Sequence, residues 1–291
     1  MKYLIYTLLS LAVFSATAQT TKVLIVGDSW AQQQYSDDVH NAVFDMNGYP
    51  DIEILSNAYA DAVAIDGTTA ADWVMPSELQ KITDALINNP SVDTVQLTIG
   101  GNDFLDNWNL NMTLMEVDAL KIQIVTDIQI IVDAILAVDI NIEIIMSFYD
   151  YPNFEETLGG LVGLVCTPLY EGMGMPTPIE INDMALEFTN AFVEISEQNP
   201  KVFHVPHWGR MQNAFGFAND NPVIQPGDIP LPGLLDRTSP LAAMREHVIP
   251  FAGIEYDCFH LTPEGYDILV LALFEDYYQY RFDTIFKSLF E

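Results

Sequence analysis

The 291-residue chain carries 10 Lys plus Arg against 41 Asp plus Glu, a formal net charge of -31, and half of its residues are apolar. A surface this acidic repels phosphate backbones and anionic lipid, so nucleic acid and charged membrane surfaces are disfavoured as partners. The apolar fraction suffices for a sizeable core and argues against wholesale disorder.

In chain order, Met1-Lys2 gives a positive start and Tyr3 to Phe14 an uncharged apolar run. Ala16-Thr17-Ala18 then offers small residues at both cleavage positions. That order is a secretory signal peptide, with cleavage expected after Ala18, a mature domain over 19–291, and a secreted or periplasmic location. An uncleaved anchor is the alternative reading, but the run is short for a bilayer span. The longest later apolar region, Ile122 to Ile145, is interrupted by Asp127, Asp133, Asp139 and Glu143, so no stable membrane insertion is expected after cleavage.

Five short apolar runs read as strands: Lys22–Val26, Asp51–Leu55, Thr94–Ile99, Asn141–Phe148 and Lys201–Val205. Between them Trp30–Met46, Ala70–Asn88 and Met115–Val138 are each long enough for a helix. The last has Leu120, Ile124, Ile128, Ile131 and Ile135 at helical spacing. A final helix is predicted from Pro263 to about Phe282, with Pro263 suited to a first helical position. Strands alternating with helices predict an α/β domain with a mainly parallel sheet covered on both faces. Two Gly- and Pro-rich regions, about 151–180 and 206–256, are expected as long loops.

In such sheets ligands bind beyond the carboxyl ends of the strands. There stand Gly27-Asp28-Ser29, Asp66-Gly67-Thr68, Gly100-Gly101-Asn102-Asp103 and, before the last helix, Asp257-Cys258-Phe259-His260 followed by LTPEGY. A serine hydroxyl needs a base to take its proton, and His260 is a candidate. Asp257, three positions earlier, can fix the imidazole tautomer. A developing oxyanion needs preorganised donors, for which the N–H groups of Ser29 and Gly67 and the amide of Asn102 are candidates. Each residue also has a purely structural reading. Ser29 can be a helix N-cap, Gly100 to Asp103 a tight turn, and His260 a surface histidine. Asp257 and His260 could ligate a metal, but no third ligand has convincing spacing. His204 and His207, flanking Pro206, read as structural or at most as lining the cleft; His40 and His247 receive no role.

Together GDSW, Gly67, GGND and DCFH-LTPEGY resemble, in order, the blocks of the SGNH or GDSL-type esterase and lipase family. The resemblance implies a flavodoxin-like three-layer α/β/α sandwich around a five-stranded sheet. It also implies an ester hydrolase with Ser29 as nucleophile, His260 as base, Asp257 as its orienting acid, and Ser29, Gly67 and Asn102 around the oxyanion. No metal or organic cofactor is implied, and the substrate would be a small-molecule or polysaccharide ester. The family commonly has Leu after the serine; here it is Trp30. A carbohydrate O-acetyl esterase or an acyltransferase on the same site, and a non-catalytic binding module on the same fold, are the competing functions. The two cysteines, Cys166 and Cys258, can be a disulfide or two core thiols; a bridge would pin the 158–178 loop beside His260.

Overall fold

The computed structural model describes residues 20–55, 62–217, 225–251 and 253–288; the stretch predicted as a signal peptide lies outside them. The chain opens with β1 (Thr20–Gly27), α1 (Ser29–Ser36), α2 (Val39–Met46), β2 (Ile52–Leu55), α3 (Ala70–Trp73) and α4 (Pro76–Asn88). Next come β3 (Thr94–Thr98), α5 (Gly101–Asn107), α6 (Leu114–Leu136), β4 (Glu143–Ser147), α7 (Phe154–Thr157), α8 (Gly163–Gly172), α9 (Pro178–Gln198) and β5 (Val202–His204). Last are α10 (Arg210–Phe215), β6 (Met244–Ile249), β7 (Gly253–Leu261), α11 (Pro263–Leu273) and α12 (Gln279–Ser288), the last two joined by a π-helical turn at Phe274–Tyr278.

The five predicted strands form one parallel sheet in the order β2-β1-β3-β4-β5. Every residue of β3 is buried, as a central strand covered on both faces must be. Helices α1, α2 and α11 pack together as one layer and α3, α4, α6 and α9 as the other, which gives a three-layer α/β/α sandwich. The predicted stripe on α6 faces inward: Ile124, Ile128, Ile131 and Ile135 are all buried. Gln96, buried mid-sheet in β3, satisfies its amide with Gln34, His40 and Tyr278 at 2.7–2.9 Å and so ties both N-terminal helices and the C-terminal segment to the sheet. Register aligns Gly27 with Thr98 and Thr98 with Ser147, so the chain leaves β1, β3 and β4 at one level.

Three expectations need correction. Trp30–Met46 is two helices, broken where Asp38 takes a left-handed conformation (φ 59°) that Asp tolerates. Ala70–Asn88 is broken before Pro76, which starts α4 at a position where its missing N–H costs nothing. Of the two expected loops, 151–180 holds α7, α8 and the start of α9, while 206–256 holds α10, β6 and the first four residues of β7 but no helix or strand over 225–240. The buried Asp150 carboxylate organises the start of the second region by accepting the N–H groups of Gly209 (2.7 Å) and Met211 (2.8 Å). A disulfide joins Cys166 of α8 to Cys258 of β7, with Cα atoms 6.0 Å apart; the alternative of two free thiols is thereby excluded.

Candidate active site

The first strand leads into the site. Gly27 has φ 146°, and a Cβ there would lie 1.8 Å from the Thr98 carbonyl oxygen, so only glycine lets β1 run this close to β3. The Asp28 N–H donates to Thr98 O at 3.1 Å, and the Asp28 carboxylate accepts the Trp30 N–H at 3.0 Å, capping α1. The cap is therefore Asp28, and the Ser29 hydroxyl is left free of that duty. Ser29 is buried in the first turn of α1, and its Oγ has no partner in hydrogen-bonding geometry. First-turn N–H groups such as that of Ser29 lack intrahelical acceptors.

The second block is laid beside the first. Gly27 pairs in parallel with Ala64, through Gly27 N–H to Val63 O and Ile65 N–H to Gly27 O, both 2.9 Å. The turn that follows carries Gly67 at φ 74°, a left-handed conformation suited to glycine. The third block is tied to the second twice. Asn102 Nδ2 donates to Thr68 O at 2.9 Å, and the Asp103 carboxylate accepts the Ala70 N–H at 2.7 Å. Burial pushes the Asp103 carboxyl up to about 6, against the pull of the Ala70 N–H. Asp103 is a structural clamp between the two blocks.

The fourth block is neither a plain strand nor a plain turn. Met244 pairs with Leu261 and Glu246 with Tyr256, so Arg245 of β6 faces four residues of β7, which bulge outward. Asp257 shapes the bulge: Oδ1 accepts the N–H groups of Phe259 (3.0 Å) and His260 (2.9 Å), while Oδ2 meets His260 Nδ1 at 2.9 Å. Burial alone would raise the Asp257 carboxyl, but the His260 imidazole and these N–H donors hold it well below the usual carboxylate range. His260 Nε2 is buried with no partner, as Ser29 Oγ is.

Sequence reading gave no role to the residue at which these blocks meet. The Tyr149 hydroxyl donates to Asp28 Oδ2 at 2.7 Å, and its ring stacks on Trp30 at 4.4 Å with the planes 13° apart. On Gly101 a Cβ would lie 2.2 Å from that ring. Phe259 lies parallel to Tyr149 at 6.5 Å and sits 4.2 Å from the His260 ring. Tyr149 thus bonds or stacks on the GDSW block, packs against the GGND block and lies parallel to Phe259 of the DCFH block. Burial first, then the neighbouring Asp28, push its phenol well above 10, while the Ser29 hydroxyl acts in the opposite direction. Trp30 is also accounted for: an indole at that position forms the stack with Tyr149. His247, given no role from sequence, comes within 3.6 Å of Asp257 Oδ2. Buried His207 bonds the Phe148 carbonyl at 2.9 Å through Nδ1, and His204 borders a separate cavity with Trp208, so neither joins Ser29 and His260. Cys166, Asp257 and Cys258 are close enough to share a metal ion, but the disulfide occupies both sulfurs.

Asp28 carries a pH signature. Burial pushes its carboxyl up to about 8, with the Tyr149 and Trp30 hydrogen bonds working against the rise. Folding therefore takes up a proton between the unfolded-state value of 3.8 and about 8. The stability from this group is full below that unfolded value and is lost as pH rises through the folded one. Asp28→Asn keeps an oxygen to cap the Trp30 N–H, turns an amide donor toward the Tyr149 hydroxyl oxygen, which can accept it, and cannot ionise. Urea unfolding at pH 5 and pH 8 is expected to show a smaller loss of stability in the variant than in the wild type. Parallel profiles would contradict a neutral buried Asp28.

Residues 23–273 match the family model described as GDSL-like lipase/acylhydrolase. A solved structure from Streptococcus pneumonia, described as a platelet activating factor, matches at TM-score 0.53 and 16% identity over 91% of this chain and 86% of that one, and shares the fold. A GDSL-like lipase from Bacteroides thetaiotaomicron is also similar, with TM-score 0.47 and 15% identity over 88% of this chain and 86% of that one. So is a family 3 carbohydrate esterase from Clostridium thermocellum, with TM-score 0.45 and 16% identity over 88% and 94%. A search of curated proteins finds no match. The family match spans all four blocks, from GDSW to DCFH-LTPEGY, and the chain belongs to the GDSL-like lipase/acylhydrolase family of ester-bond hydrolases.

Proposed function

We propose that the chain is an exported serine ester hydrolase working through Ser29, His260 and Asp257. The observation that carries this reading is that His260 Nε2, like Ser29 Oγ, is buried without a partner while the other imidazole nitrogen is already held by Asp257. In this reading Ser29 Oγ attacks the ester carbonyl while His260 Nε2 takes its proton. The negative charge forming on the carbonyl oxygen is met by the N–H groups of Ser29 and Gly67 and by Asn102 Nδ2. His260 returns the proton to the departing alcohol, and water then opens the acyl-enzyme by the same route. Asp257, held ionised, fixes the tautomer with the proton on Nδ1 and stabilises the imidazolium. Export rests on the order of charge, apolar run and small residues over Met1 to Ala18.

Hydrolysis of p-nitrophenyl esters by protein starting at Gln19, together with labelling by a fluorophosphonate, tests the reading. Turnover and a label that maps to Ser29 are expected. A folded protein that neither turns over nor labels would leave the cleft as a binding site and overturn it.

A further inference from the structure

Beside Asn102 a trough of about 400 Å³ opens between two helices, within the range of about 300–1,000 Å³ that small-molecule sites occupy. One wall is a single face of α5, with Asn102, Leu105 and Asp106 at helical spacing. The other is a single face of α8, with Val165, Pro168, Leu169 and Gly172 one turn after another. The ring of Phe259 closes one side. From Val165 to Gly172 the α8 face runs about 10 Å at roughly 1.5 Å per residue.

We propose that this trough is the acyl subsite and that it takes a straight, apolar acyl chain of medium length, of the kind an octanoyl ester carries. The proposal rests on the assignment of Ser29 and Asn102 made above. Three features support it. Asn102, the group proposed to meet the carbonyl oxygen, lines the trough, whereas Ser29 and Gly67 do not border it, so the chain would reach the trough past Asn102. The leaving alcohol must face His260 Nε2, and His260 does not border the trough; Phe259, packed on the imidazole, stands between them. The lining is mostly apolar, with Asn102 and Asp106 as its polar side chains, too few to recognise a sugar.

The wall on α8 is built to stay in place. Its N-terminal end is held by the Glu255 carboxylate of β7, which accepts the Val162 N–H at 2.6 Å, and its middle by the disulfide from Cys166 to Cys258. Leu161, Leu164 and Val165 nevertheless remain 55%, 69% and 66% exposed at that end. A bound alkyl chain would remove part of this apolar surface from water.

Wild type, Ser29→Ala and Gly172→Leu are compared on p-nitrophenyl acetate and p-nitrophenyl octanoate. A Cβ at Gly172 meets nothing within 4 Å, so leucine fills the trough without a backbone clash. Wild type is expected to prefer octanoate in kcat/KM. In Gly172→Leu the octanoate-to-acetate ratio is expected to fall by at least about tenfold, the scale on which hydrophobic pockets discriminate chain length, with thermal unfolding near wild type. An acetate preference in wild type overturns the subsite. So does an unchanged ratio in Gly172→Leu. Acetate hydrolysis that persists in Ser29→Ala would instead overturn the proposed mechanism. Loss of both activities in Ser29→Ala with an unaltered ratio in Gly172→Leu would leave the mechanism standing and remove only the subsite.

Discussion

Replacing Ser29 with alanine is expected to lower kcat on p-nitrophenyl esters by about 10,000-fold or more, the scale seen when a serine hydrolase loses its nucleophile. Stability should change little. Ser29 Oγ lies near enough to the Tyr149 hydroxyl to act on it but has no partner in hydrogen-bonding geometry, and the duty of capping α1 falls to Asp28. Removing a buried hydroxyl without a partner deletes a desolvation cost together with the atom. The variant is therefore expected to melt at or slightly above the wild-type temperature, whereas a structural serine would lower both activity and melting point. Activity within a hundredfold of wild type would show that another group attacks the ester.

Asp257→Asn is expected to cost about 10,000-fold in kcat, the scale of the corresponding change in serine proteases, with the fold retained. The two oxygens of Asp257 have separate duties. Oδ1 accepts the N–H groups of Phe259 and His260 and shapes the bulge, while Oδ2 meets His260 Nδ1. Asparagine can keep an oxygen at the first position, so the bulge survives. At the second it presents an amide donor, which forces the proton of a neutral His260 onto Nε2, where it cannot accept from serine. Asp257→Ala removes both duties, and its unfolding transition is expected at lower denaturant than that of Asp257→Asn. Equal stability of the two variants would contradict the division of labour; near wild-type kcat in Asp257→Asn would remove Asp257 from the mechanism.

The sheet was legible because buried parallel strands are written as short continuous apolar runs, and all five predicted runs pair in it. The site blocks were legible as strand ends carrying Gly, Asn, Ser and His. The missed α9 did have a local signature. Thr177 and Glu180 form a capping box around Pro178, which the Pro-rich surroundings obscured. Helix α8 had no such signal; it contains Pro168, and what fixes it is a disulfide and a carboxylate from β7, about ninety residues away. Tyr149 was invisible for the same reason. Its bond to Asp28 spans 121 residues, and nothing in the stretch around it announces a stack with Trp30. Long-range contacts leave no periodicity in the chain.

The contact between Gly101 and Tyr149 makes two distant positions one choice. A methyl group at 101 would press on the Tyr149 ring at 2.2 Å, and overpacking of this kind typically costs about 1–3 kcal/mol. Gly101→Ala should therefore be tolerated far better beside Tyr149→Leu than beside the native tyrosine, the two substitutions together costing less stability than their separate costs added. Across related chains the same pressure would appear as correlated substitution. Alanine or threonine at the second position of the GGND block should accompany a smaller side chain two residues past the fourth strand, and glycine should accompany an aromatic ring.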